Sequence, residues 1–158
     1  MQELELVEKA KQAPLKAFSI CKEISSPDIQ EECFSSSAQN LNGAPKQKEA
    51  LCDELSGSLK GECFFELAEE VQKVEFCQRA TPFELDCRLH ILEAQCGKFS
   101  SLSSLLSLTK NLELDYSHPN VGNILYGCLL SHPQPRDICS QTPNPKQCIQ
   151  IQERQRSH

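Results

Sequence analysis

The chain has 158 residues, 39% of them apolar, with no Trp, one Met and ten Cys. That is the length of a single domain, 1–158, with a lean core. The dense, even cysteine count reads as disulfide reinforcement in an oxidising compartment rather than as reduced cytosolic thiols. A net charge of −6 argues against nucleic acid or an anionic membrane as partner, and no apolar run approaches the ~20 residues of a membrane span.

The opening "MQELELVEKAKQAPLKAF" is charged and helical from its start, with Leu4, Val7 and Ala10 beginning an apolar stripe that Pro14 interrupts. It is no signal peptide. An oxidised chain would then be a mature one whose leader is absent, with Met1 an added start, and a lost leader could have carried a lipid anchor.

Three segments follow that can be stacked: "FSICKEISSPDIQEECFSSSAQ", "EALCDELSGSLKGECFFELAE" and "VEFCQRATPFELDCRLHIL". Each has an apolar approach, a first Cys, a break rich in Ser, Pro or Gly, an acidic residue and a second Cys. The first two share Cys-x-x-Ile/Leu at Cys21–Ile24 and Cys52–Leu55. They also share a Phe after the second Cys and an Ala four residues further on (Phe34 and Ala38; Phe64 and Ala68). The physical reading is a helix ending near the first Cys, a turn around Pro27, around Gly57 and Gly61, or around Pro82, and a new helix near the second Cys. Thr81 followed by Pro82 reads as an N-cap with Pro at the first helical position.

Ten cysteines allow about 945 pairings, and sequence proves none of them. The repeat selects Cys21–Cys33, Cys52–Cys63, Cys77–Cys87, Cys96–Cys128 and Cys139–Cys148. "ECFFELAEEVQKVEFC", Glu62 to Cys77, then reads as one amphipathic helix with Phe64, Leu67 or Ala68, Val71 and Val74 on one side. Its two cysteines lie about four turns apart on one side, one closing a hairpin and the other opening the next. Downstream, Leu85, Leu89, Leu92 and Cys96 form another helical stripe.

Between Glu49 and Glu75 eight acidic residues face only Lys60 and Lys73. This is a solvated face or, more sharply, an acidic docking surface using Glu66, Glu69 and Glu70. The repeat-like units span 17–96. Residues 97–127 depart from them as a Ser- and Leu-rich insert, expected to hold one extra helix from Ser101 to Leu114 or to serve as a grafted binding element. Residues 128–158 form a basic C-terminal unit.

Catalytic and metal signals are sparse. There is no Cys-x-x-Cys, Gly-x-Ser-x-Gly, phosphate loop or His-Glu-x-x-His. Cys87 and His90 stand alone in Cys-x-x-His spacing, and His90 within "LHIL" reads as a partly buried structural histidine. "DYSHPN" gathers Asp115, Tyr116 and His118, a polar turn that could sit in a partner-binding or catalytic site. No metal or cofactor is expected.

The segments quoted from 17–96 are similar to cysteine-repeat helical segments of uncharacterised exported or lipid-anchored prokaryotic proteins. The resemblance implies an exported all-helical fold and carries over no activity. The expectation is therefore an all-α, compact irregular array of disulfide-stapled αα-hairpins, secreted, periplasmic or at the cell surface. Its function reads as a non-catalytic interaction or accessory subunit whose partner is another protein of an envelope or extracellular assembly. The alternative is a small-ligand or lipid carrier with Leu102, Leu105, Leu106 and Leu108 lining a cavity. An enzyme using Asp115, Tyr116 and His118 comes third.

Overall fold

A computed structural model describes residues 2–157, which are helical with no strand among them. The chain divides into two units at Glu84/Leu85, inside the third repeat segment.

In the first unit, α1 (Glu3–Gln12) ends before Pro14, which opens a 3₁₀ turn (Pro14–Lys16) leading into α2 (Ala17–Lys22). Next come α3 (Pro27–Gln39), α4 (Pro45–Asp53), α5 (Gly57–Val71) and a 3₁₀ segment, Val74–Arg79. Pro27 and Pro45 occupy first helical positions, where a missing N–H costs nothing. The N-terminus of α3 is capped from a distance: Glu3 Oε1 accepts from the N–H groups of Ser25 (2.8 Å) and Ser26 (3.2 Å). Val7, Ala10, Phe34, Leu51, Phe64 and Leu67 are buried together in this unit.

Two disulfides close its hairpins, Cys21–Cys33 joining α2 to α3 and Cys52–Cys63 joining α4 to α5. The repeat has a physical basis. Ile24 and Leu55 sit in equivalent turns, each donating its N–H 3.1 Å to the carbonyl of the first Cys, and both are buried. Phe34 and Phe64 are the buried rings after each second Cys, with Ala38 and Ala68 buried one turn on. A cation covers each ring: Lys22 lies 5.7 Å from the Phe34 centroid and Arg79 4.1 Å from that of Phe64.

Three local expectations are corrected. The helix through Glu62 stops at Val71 because Gln72 takes a left-handed conformation (φ 57°) and donates to Ala68 O at 2.7 Å. Cys77 therefore lies on the 3₁₀ segment, not on the helix of Cys63. Gly61 is no turn residue but a buried position inside α5, packed against the Thr81 carbonyl. Thr81 does not cap at Pro82: the Thr81–Pro82 peptide is cis, and α6 (Glu84–Cys96) begins two residues later, with Thr81 Oγ1 donating to Glu84 Oε1 at 2.6 Å.

The second unit holds most of α6, then α7 (Leu102–Asn111), α8 (Pro119–Leu130), a 3₁₀ turn (Ile138–Gln141) and α9 (Pro145–Arg156). The insert 97–127 thus contains α7 and most of α8 rather than one helix to Leu114. Glu113, also left-handed (φ 57°), ends α7, and Pro119 starts α8. Leu89, Leu92 and Cys96 of the α6 stripe are buried, but Leu85 is exposed and Ile91 takes the inward position.

Cys96–Cys128 ties α6 to α8, and Cys139–Cys148 ties the last 3₁₀ turn to α9. Tyr126 is fully buried and its hydroxyl oxygen accepts from Asn144 N–H at 3.0 Å, joining α8 to the start of α9. Cys77 and Cys87 are likewise disulfide-bonded, and no cysteine among the described residues is free. This is an all-α fold stapled by disulfides, the state expected of an oxidising compartment. No described helix is long and apolar enough to cross a membrane.

Candidate functional site

The acidic stretch is largely spent inside the first unit. Lys48, buried on α4, places Nζ 3.7 Å from both Glu66 and Glu70 of α5. Glu70 Oε1 also accepts from Gly43 N–H at 2.7 Å, holding the loop before α4. Arg79 pairs with Glu49 at 2.8 Å and with Asp53, while lying over Phe64. Lys22 takes Glu54 at 3.1 Å. Carboxylates that look like a single solvated face in the sequence therefore latch α4 to α5 and to the 3₁₀ segment. Glu69 is exposed, and its carbonyl accepts from the Gln72 side chain at 2.7 Å.

"DYSHPN" builds a turn whose polar groups are taken up by local hydrogen bonds. Asp115 Oδ1 accepts from the N–H (2.9 Å) and hydroxyl (2.8 Å) of Ser117. These bonds, the backbone one first, hold its carboxyl below the usual range. Tyr116 donates to Leu106 O at 2.7 Å. His118 Nδ1 accepts from Asn120 N–H at 3.2 Å, capping α8. Each side chain ends on a separate local partner, so the three do not converge on a common reacting point.

His90 is exposed rather than partly buried. Cys87 is in a disulfide and offers no thiolate to a metal. Among the described residues no cluster of three metal-ligating side chains occurs. Leu105 and Leu108 are buried, with Leu102 and Leu106 half-buried.

Sequence reasoning also missed several clefts, two of which lie in the first unit. One, about 600 Å³, lies at the start of α5 beside Lys60, Arg79 and Thr81; its Arg79 is already neutralised by Glu49 and Asp53. The other is a groove between α3 and α5, about 450 Å³, lined by Asp28, Glu31, Glu32, Gln39 and Leu59. It continues as a narrow cleft beside Glu62 and Glu66. The signal for it is present in the sequence, as the spacing 28, 31/32, 35, 39 of polar residues on α3, but only packing against α5 makes a groove of that face. No protein family, curated protein or solved structure matches the chain.

Proposed function

We propose that this is an exported, non-catalytic interaction protein, secreted or periplasmic, in which stapled helical hairpins present a fixed surface to another protein of an envelope or extracellular assembly. The observation that carries the reading is the groove between α3 and α5. It sets an exposed apolar side chain, Leu59, among carboxylates, on two helices each pinned by its own disulfide. A rigid groove loses little conformational entropy on binding, and an apolar anchor ringed by one sign of charge selects a basic partner segment. The use of Asp115, Tyr116 and His118 in local turn bonds favours this reading over an enzyme.

A photocrosslinker at position 59 of the oxidised protein, in native extract under non-reducing conditions, tests it. One reproducible partner linked at 59, absent from a control at exposed Leu4 and lost in Glu32→Lys/Glu62→Lys, is the expected result. Identical labelling at 59 and at 4 would sink the reading. A carrier would instead show bound lipid by native mass spectrometry, held along Leu102, Leu105, Leu106 and Leu108.

A further inference from the structure

Given the docking role proposed above for the α3/α5 groove, charge indicates its occupant. Two surfaces of this chain carry complementary charge. The α3/α5 groove is lined by Asp28, Glu31, Glu32, Glu62 and Glu66 with no cation among its lining residues. Among the described residues only Glu66 of these is in an ion pair, with Lys48. Leu59 adds apolar surface, 39% exposed.

Helix α9 offers the inverse. Its inward side is fixed by buried Cys148 and Ile151, and helical spacing then turns Lys146, Ile149, Glu153 and Arg156 outward together. Ile149 is 43% exposed. Lys146, Arg154 and Arg156 are exposed and form no ion pair among the described residues; Glu153 is the one opposing charge on that outer face. The anchors are also spaced alike. Seven residues separate Leu59 from Glu66 and Ile149 from Arg156, about 10 Å of helix in each case. With Ile149 seated against Leu59, Arg156 reaches the depth of Glu66.

We infer that the α3/α5 groove takes the outer face of α9 from a second copy of this chain, in a heterologous contact that makes the protein self-associate. The contact is a helix laid in a groove, with one apolar pair at its centre and charge pairs around it. Most of those charges are exposed, so salt should weaken it strongly.

Sedimentation of the purified, fully oxidised chain from about 10 μM to about 1 mM at low ionic strength tests this, the upper limit reaching contacts of only about 4 kcal/mol. The expected result is an average mass that climbs with concentration and returns to monomer in about 0.5 M salt. Glu32→Lys/Glu62→Lys and Lys146→Glu/Arg156→Glu should each sediment as monomers with no free thiol, and mixing the two variants should restore association. Recovery on mixing also shows that both variants are folded. A wild type monomeric throughout, or association untouched by both variants, overturns the inference. If the wild type is monomeric while a different protein is still captured at position 59, the second-copy occupant fails and the interaction reading stands. If capture at 59 is non-specific as well, both fail.

Discussion

Gly61 gives a test in which the sign of the effect decides. It lies inside α5, where replacing Gly by Ala ordinarily adds about 1 kcal/mol of helix stability. Here a Cβ would overlap the Thr81 carbonyl oxygen and crowd that of Ala80. These are backbone atoms, without the freedom of a side-chain tip. Overpacking of this kind costs about 1–3 kcal/mol, and at so close an approach the upper half of that range applies. The net expectation for Gly61→Ala is a loss of about 1–2 kcal/mol, or about 3–6 °C in Tm for a chain of this size. Gly127 is the control: it is also helical, in α8, but a Cβ there meets nothing within 4 Å. Gly127→Ala should therefore gain about 0.5–1 kcal/mol. Urea unfolding of both variants under non-reducing conditions reads the two signs. A stabilised Gly61→Ala would refute the packing of residues 80–82 on α5.

Three other perturbations follow from buried polar groups. Burial pushes the Tyr126 phenol above its ordinary value, against the lowering effect of the Asn144 bond. The phenol binds its proton more tightly folded than unfolded, so its contribution is complete below about pH 10 and lost as pH rises through the raised value. Alkaline unfolding should lose that component in Tyr126→Phe, which at neutral pH costs about 1–2 kcal/mol for the orphaned Asn144 N–H; an unchanged alkaline limb would contradict this. Lys48→Met should destabilise by about 1 kcal/mol, since the partly exposed Glu66 and Glu70 lose their shared cation. A cycle with Glu70→Gln should recover part of that loss, and purely additive effects would deny the coupling. Ser37 is fully buried, with no partner for its hydroxyl among the described residues. Ser37→Ala should therefore hold or raise stability, by up to about 1 kcal/mol in chemical denaturation, and a clear loss would reveal a bond to that oxygen.

Much of the fold was legible because the repeat reports backbone geometry. Cys-x-x-Ile/Leu marks a hairpin turn that must bury its apolar residue, and Cys-Phe marks the ring that fills the space behind the disulfide. Ile24, Leu55, Phe34 and Phe64 all occupy those places. The breaks were harder to see. Gln72 and Glu113 end helices in the left-handed region, which glycine usually takes, so no residue type announced either stop. Gly61 reads as a turn former because sequence cannot show that Thr81 needs the room of a Cβ.

The candidate site was less legible still. Glu66 and Glu70 look like free surface charge until Lys48 is seen between α4 and α5. Asp115, Tyr116 and His118 look like a cluster because they are neighbours in sequence, whereas their bonds run to Ser117, to Leu106 and to Asn120. The groove joins residues about thirty positions apart, a distance that no local pattern encodes.

Stapled hairpins are the foundation of both the compartment and the rigid surface. In the chain-entropy model the short loops contribute about 2.5–3 kcal/mol each and the longer Cys96–Cys128 loop about 3.7 kcal/mol. Proteolysis of the native protein under non-reducing conditions, followed by mass spectrometry of the linked peptides, measures the pairing directly. The structure predicts peptides joined at Cys21–Cys33, Cys52–Cys63, Cys96–Cys128 and Cys139–Cys148, with no free thiol at any cysteine. A link from Cys33 to Cys52, or a set of alkylatable thiols in the native chain, would contradict it.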